Sequence, residues 1–115
     1  MGTINYSTYV VGYEFLIIKW ASLAGGDDGQ PYKIAKYADV SIHVKGTFNG
    51  RTLTIQGDND VVGTPTWATL NNPQGDALTF ATEAIKQLLE NVGMIRPIVN
   101  AGEGASLDVY MKITY

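Results

Sequence analysis

Apolar and polar residues alternate with a period of two through much of this 115-residue chain. The C-terminal run is the longest example, in which every second residue is apolar or aromatic: Leu107, Val109, Met111, Ile113 and Tyr115. Successive side chains of a β-strand point to opposite sides of a sheet. The pattern therefore predicts strands that have one buried and one hydrated face.

The same alternation occurs at residues 40–45 and again at 52–56, on either side of Asn49-Gly50. Asn-Gly between two alternating segments is a strong local signal for a tight turn. These segments are therefore predicted to form a β-hairpin. Residues 15–20 begin with apolar side chains on both faces, which predicts a central strand or one covered on its second side by another subunit.

Shorter strands are predicted at 66–70, 77–80 and 94–99. Segments rich in Gly, Asn and Asp separate the predicted strands, and the Gly102-x-Gly104 segment among them is predicted to be a hairpin turn. Many short strands joined by turns indicate an all-β fold, an antiparallel β-sandwich or jelly roll.

Residues 82–90 fit both a short helix and a strand. Ile85, Leu88 and Leu89 have helical spacing, and Thr82 is a suitable N-cap. Ile85, Gln87 and Leu89 fit one strand face equally well, and eight or nine residues are marginal for an isolated helix. We favour a strand, with one short helix near 82–90 as the alternative.

The chain length predicts one domain held together by its hydrophobic core. A chain of this size buries roughly 65% of the surface that it exposes when unfolded. We expect residues 14–115 to form a single β-sandwich domain and residues 1–13 to form an N-terminal arm or edge strand. The absence of Cys excludes disulfides, thiolate zinc sites and a Cys nucleophile.

Charge and hydropathy limit the classes of partner. The net charge is -3 and no basic run is present, which argues against nucleic acid. The apolar stretch 15–18 is far shorter than the ~20 residues of a membrane-spanning helix. The N-terminus has no signal-peptide pattern, so synthesis in the cytoplasm is expected.

Candidate catalytic and metal-binding residues are few and scattered. His43, the one histidine, lies on the polar face of a predicted strand without a partner at motif spacing. The loops with Asp27-Asp28 and Asp58-Asn59-Asp60 lack the spacing of an EF-hand. A carboxylate pair for glycoside hydrolysis would have to come from four residues better explained as surface charges: Glu14, Glu83, Glu90 and Glu103. We predict no enzyme, no metal and no cofactor.

The N-terminal segment is aromatic and has no charged side chain before Glu14. Such a segment is better explained as a strand or arm that docks on a neighbour than as a solvated tail. The candidate subunit or capsid contacts are Tyr6, Tyr9, Val10, Val11, Tyr13, Phe15 and Ile17. A separate hypothesis is a glycan-stacking platform formed by Trp67, Tyr32 and Tyr37.

Several short motifs carry a resemblance to a known class. VKGTFNG (44–50), LTIQGDND (53–60), WATL (67–70), NPQGDAL (72–78) and IRP (95–97) together resemble a pattern found in small virion proteins of tailed phages. The sequence of a strand, an Asx-rich turn and Trp-x-x-Leu also resembles discoidin-type carbohydrate-binding jelly rolls. Asp58 stands where Ser is usual there, and Val61-Val62 replace a Gly.

The resemblance implies a non-enzymatic structural protein of the virion. A capsid decoration or cement protein is its main implication, with the major capsid protein and further copies of itself as partners. Such a protein would be made in the host cytoplasm and located on the capsid surface. The alternatives are a carbohydrate- or receptor-binding module and a tail or neck component. Arg96 before Pro97 is expected to hold a loop carboxylate.

Overall fold

The computed structural model describes residues 2–34 and 38–115, and within these residues it contains twelve strands and no helix. The strands are β1 (Thr3–Ile4), β2 (Tyr6–Val11), β3 (Phe15–Leu23), β4 (Asp28–Gly29), β5 (Tyr32–Lys33), β6 (Asp39–Thr47), β7 (Leu53–Asp58), β8 (Ala68–Thr69), β9 (Thr79–Phe80), β10 (Ala84–Gln87), β11 (Met94–Val99) and β12 (Ser106–Thr114). The all-β prediction is confirmed. The ambiguous segment 82–90 contains the strand β10.

Two sheets form the domain. The five-stranded sheet has the order β10-β6-β12-β3-β2. The seven-stranded sheet has the order β1-β4-β11-β7-β8, with β5 also paired to β11 and β9 to β7. All pairs are antiparallel except β1 with β4. The chain is thus a β-sandwich, as the alternation predicted.

One hydrophobic core lies between the sheets and takes side chains from both. Leu107, Val109, Met111 and Ile113 of β12 are fully buried, whereas Tyr115, beyond the strand end, is 39% exposed. Trp20 is also completely buried. Each buried side chain of this size contributes roughly 1.5–3 kcal/mol, so this core is a major source of the domain's stability.

The predicted hairpin between residues 40–45 and 52–56 is wrong. The tight turn itself is present, because Asn49 and Gly50 have φ of 47° and 77° and Arg51 N donates to Phe48 O over 2.8 Å. However, β6 lies in the five-stranded sheet and β7 in the seven-stranded sheet. Facing strands of two sheets present apolar residues to one core, as hairpin strands do, so alternation cannot distinguish the two arrangements.

The prediction of a hairpin turn at Gly102-x-Gly104 is wrong for the same reason, because this segment joins β11 to β12 in the opposite sheet. The β6–β7 and β11–β12 connections pack together at one end of the sandwich. Asn49 Nδ2 donates to Glu103 O over 2.7 Å, and Arg51 Nη1 donates to Ala101 O over 2.5 Å.

The shorter predicted strands differ in how well their bounds agree. The segment 94–99 is β11 as predicted. Within 66–70 and 77–80 only residues 68–69 and 79–80 pair as strands, in β8 and β9. Both are edge elements of the seven-stranded sheet that pair with β7.

The N-terminal segment belongs to both sheets. β1 extends the seven-stranded sheet beside β4, and β2 forms the edge of the five-stranded sheet beside β3. Gly2 N donates to Asp27 Oδ1 over 2.9 Å and holds the start of the segment. A register shift between Thr8 and Val10 makes Tyr9 the extra residue of a β-bulge.

Candidate interaction surfaces

The clearest exposed apolar feature is the end of β2 and the turn that follows it. Tyr9, Val10, Val11 and Tyr13 are 57%, 37%, 76% and 90% exposed, and we call these four residues the β2 edge. Within the described part of the chain, β2 pairs with β3 and has no strand on its other side. An edge strand normally carries charges or Pro that discourage pairing with another chain, and the segment before Glu14 has neither.

The other predicted contact residues are less accessible. Tyr6 packs on the core, with its ring centroid 6.2 Å from that of Trp20 and 5.2 Å from that of Tyr32. It is therefore half-buried and less accessible than the residues of the β2 edge. Phe15 and Ile17 are half-buried on β3, and Lys112 Nζ lies 5.2 Å from the centroid of the Phe15 ring.

A second surface lies on the outer face of the five-stranded sheet, centred on Tyr110 of β12. Lys19 Nζ and Lys45 Nζ lie 5.0 Å and 5.1 Å from the Tyr110 ring centroid. The Tyr9 ring meets Tyr110 edge-on at 5.3 Å, and the His43 ring centroid is 6.2 Å away. The β2 bulge brings Tyr9 onto this face, so the surface adjoins the β2 edge.

Lys19 interacts with both an aromatic and an acidic residue of this surface, Tyr110 and Asp108. Hydrogen bonding to the Tyr110 side chain raises the pKa of Lys19 above its ordinary value, partial burial opposes the rise, and Asp108 adds to it. Lys19 Nζ is 3.8 Å from Asp108 Oδ2. Asp108 also accepts a hydrogen bond from Ser22 N at 2.9 Å.

A shallow groove of about 290 Å³ crosses this face, and we call it the basic groove. Its lining includes Ile17, His43, Lys45, Ile85, Tyr110 and Lys112. No carboxylate stands among the described residues that line it. Asp39 lines an adjoining depression that shares Ser41, Ile85 and Lys112 with the groove.

The structure does not bring the proposed glycan platform together. Tyr32 pairs with Ile95, which faces the core, and Tyr32 packs there beside Tyr6. Burial is the main cause that raises the pKa of Tyr32. Trp67 lies instead against Arg96, which follows Ile95 in β11. Adjacent residues of a strand point to opposite faces of the sheet, so the rings of Tyr32 and Trp67 lie on opposite faces. Tyr37 lies outside the described residues.

Arg96 organises the polar contacts on the outer face of the seven-stranded sheet. Its guanidinium group covers one side of the Trp67 indole, with the guanidinium carbon 4.3 Å from the ring centroid. Arg96 Nη1 contacts Asp28 Oδ2 at 3.0 Å, and its Nε and Nη2 donate to Gln56 Oε1. Burial lowers the pKa of Arg96, and Asp28 opposes that change. Arg96 holds a carboxylate as expected, but that carboxylate belongs to the strand β4 and not to a loop.

The acidic loops use their carboxylates to shape the backbone. Asp27 is 6% exposed and accepts hydrogen bonds from Gly2 N and Ala24 N. Asp58 accepts from Asp60 N and Thr66 N at 2.8 Å and 2.7 Å, and these bonds lower its pKa. Asp60 in turn accepts from Gly63 N. In residues 2–34 and 38–115, no three His, Asp or Glu side chains are grouped as they would be to hold a metal ion.

Two of the four glutamates that could form a glycosidase pair make structural contacts through their carboxylates, and the other two do so through their backbone carbonyls. Glu83 Oε2 accepts from Gly46 N at 2.9 Å, and Glu90 binds Asn71 through both of its carboxylate oxygens. Glu14 has φ of 64° in the turn between β2 and β3, and its carbonyl accepts from Tyr115 N. Glu103 O accepts from Asn49, as described above.

Sequence reasoning missed the basic groove. Its lysines, Lys45 and Lys112, stand on the polar faces of two separately predicted strands, and this is the signal that the sequence offers. Their proximity depends on β12 lying between β3 and β6, and alternation does not specify which strands are neighbours.

No protein-family model and no curated protein matches the chain. Among solved structures, the SPBc2 prophage-derived protein YomS matches with a TM-score of 0.65 at 9% identity, over 93% of this chain and all of YomS. The cupin domain of Cnp3 from Schizosaccharomyces pombe matches with a TM-score of 0.49 at 12% identity, over 96% of this chain and 60% of that chain. Protein NMB1881 from Neisseria meningitidis matches at 0.39 and 12% identity, over 91% and 79%.

The match to YomS shows a shared fold over nearly the whole length of both chains, and at 9% identity it shows the fold alone. The other two matches are too distant in structure to bear on the fold. In the described part of the chain, no helix has the length and apolar character needed to cross a membrane. This chain is therefore a two-sheet β-sandwich with the fold of a prophage-derived protein.

Proposed function

We propose that this chain is a non-enzymatic structural protein of a phage virion, specifically a capsid decoration protein that stabilises the shell through oligomeric contacts. The observation that carries the proposal is the β2 edge, an exposed apolar strand end without charge or Pro. Such an edge offers unpaired backbone groups and apolar side chains to a neighbouring chain. The fold shared with a prophage-derived protein supports a phage origin.

The proposed partners are the major capsid protein and further copies of the chain. Repeated subunits of a shell present repeated sites, so an oligomer that binds several of them gains avidity without new contacts. In this proposal the protein is made in the host cytoplasm and acts on the capsid surface.

The structure favours a point substitution over truncation as a test. Deleting residues 1–12 would remove a strand from each sheet and expose Trp20, so loss of binding would not separate contact from folding. Val11→Lys places a charge at an exposed position of the β2 edge and leaves the core intact. We expect it to weaken self-association and shell binding at least about tenfold, because a paired edge would have to desolvate the ammonium group.

Light scattering of the purified protein measures self-association. Co-sedimentation with particles grown from a genome that lacks this chain measures shell binding. Val62→Lys is the matched control, since Val62 is 93% exposed in the loop after β7 and the charge change is identical. Equal behaviour of the two variants in both assays would contradict a role for the β2 edge.

Imaging of intact virions separates the capsid proposal from a tail or neck component. Density for the chain on the shell is expected, and density confined to the tail or neck would overturn the decoration role. A glycan array tests the receptor-binding alternative. Selective glycan binding that Trp67→Ala abolishes in a folded protein would favour that module instead.

A further inference from the structure

The outer face of the five-stranded sheet collects positive charge on an acidic protein. The chain has eight Lys and Arg residues and a net charge of -3. Lys19, Lys45 and Lys112 lie together on this face with His43. Among the described residues, Lys45 and Lys112 have no carboxylate oxygen within 4.0 Å, whereas Lys19 is near Asp108.

The sheet itself holds these side chains in place. Tyr110 is in register with Lys19 on one side and His43 on the other, and Lys112 is in register with Ile17 and Ser41. β12 is hydrogen-bonded to a strand on both sides, so its side chains project from a rigid element. A surface that is ordered before binding loses less conformational entropy when a ligand binds.

The aromatic rings of this face are poorly placed for stacking on a sugar. Two ammonium groups lie within about 5 Å of the Tyr110 ring centroid, and Tyr9 packs edge-on against the same ring. The groove instead presents cationic groups at Lys45 and Lys112. Ile17 and Ile85 add aliphatic surface to its lining, and Ile85 is 65% exposed.

We propose that the basic groove binds an acidic peptide segment of a partner protein. Carboxylates of the peptide contact Lys45 and Lys112, and an aliphatic side chain packs on Ile17 and Ile85. Opposite charges steer the peptide to the groove and the aliphatic contacts add to its retention. The groove borders the β2 edge at Tyr9, but the four side chains that carry this proposal lie outside that edge. The proposal also does not depend on whether the partner is a capsid protein.

Fluorescence anisotropy with a short labelled peptide of alternating Glu and Leu tests this site. We expect micromolar binding by the wild-type protein that weakens as salt is added, because exposed charges are screened within about 10 Å at 0.1 M salt. Lys112→Glu should weaken binding at least about tenfold, and Lys112→Arg should retain it.

Lys33→Glu is the matched control, because Lys33 is exposed on β5 of the other sheet and the change in net charge is the same. Near-ultraviolet circular dichroism verifies the fold of each variant, and Lys45→Gln serves as a second test if Lys112→Glu does not fold. Amide NMR shifts upon titration should be largest on β6 and β12.

Four outcomes would overturn the proposal. They are no binding by the wild-type protein, equal binding of a Gln-Leu peptide, equal loss in Lys33→Glu, and tighter binding of polygalacturonate than of the acidic peptide. The last outcome would assign the groove to an anionic saccharide. These results leave the Val11→Lys test of the β2 edge untouched.

Discussion

Glu90 shows how one side chain joins two segments that have little regular structure. Its Oε1 accepts from Asn71 N at 2.8 Å and its Oε2 from Asn71 Nδ2 at 2.6 Å. Burial opposes ionisation, but the bonds from Asn71 outweigh it and lower the pKa of Glu90 below its ordinary value of 4.5. The folded protein therefore stabilises the ionised form of the Glu90 carboxylate.

This lowered pKa predicts a pH dependence of stability. The contribution of Glu90 is fully present above its ordinary pKa of 4.5 and is lost as pH falls through the lower folded value. Glu90→Gln should lower the free energy of unfolding by about 1 kcal/mol at neutral pH, because it weakens the hydrogen bonds to Asn71. The destabilisation caused by Glu90→Gln should become smaller as the pH falls below 4.5, because the wild-type carboxylate then becomes protonated.

Urea denaturation at a series of pH values measures this difference. Glu103→Gln is the control, since Glu103 is exposed in the β11–β12 connection. A deficit for Glu90→Gln that stays constant from neutral to acidic pH would show that its carboxylate does not act through ionisation.

At the scale of elements, the turn between β6 and β7 is predicted correctly, whereas the predicted pairing of β6 with β7 is wrong. Asn49-Gly50 adopts the positive φ angles that such a turn requires, yet the strands on either side enter different sheets. The Asn49 side chain also bridges to the β11–β12 connection through Glu103 O. Asn49 thus has both a conformational and a bonding role.

Substitutions at Asn49 should separate these two roles. Asn49→Gly keeps the left-handed backbone accessible and loses the bond to Glu103 O, with an expected cost of about 1 kcal/mol. Asn49→Ala loses both and should cost about 2 kcal/mol, because an L-residue with a Cβ is strained at positive φ. Thermal unfolding ranks the variants, with Asn91→Ala as the exposed control. Equal stability of the Gly and Ala variants would exclude a conformational role.

At the scale of the whole molecule, sheet neighbours are far apart in sequence. β12 lies between β3 and β6, and β11 pairs with β4, β5 and β7. These pairings close long loops before they bring any contact energy, which slows folding. The single core that both sheets share should make unfolding cooperative.

We therefore expect two-state folding on a timescale of roughly milliseconds to seconds. Stopped-flow fluorescence should follow it, since Trp20 passes from water to a fully buried site. The fluorescence and far-ultraviolet circular dichroism transitions should coincide at equilibrium. Separate transitions by the two probes would show that the sheets unfold independently.

Much of this fold follows from local sequence. The two-residue alternation predicts the strands β6, β7 and β12, and Met94–Val99 has the predicted bounds. The turn at Asn49-Gly50 follows from side-chain chemistry in the same way. The segment before Glu14 has no charged residue and is predicted to offer an apolar surface, and the apolar side chains of the β2 edge are exposed. These features depend only on residues close together in the chain.

Strand pairing, by contrast, depended on the packing of the complete chain. Alternation indicates which side of a strand is buried but not which sheet the strand enters. It therefore predicts one hairpin for β6 and β7, which lie in opposite sheets. The same limit concealed the basic groove, whose lysines come from β6 and β12. Alternation also does not predict that Trp67 and Tyr32 lie apart. Tyr32 pairs with Ile95 and Trp67 contacts Arg96, and these two adjacent residues of β11 face opposite sides of the sheet.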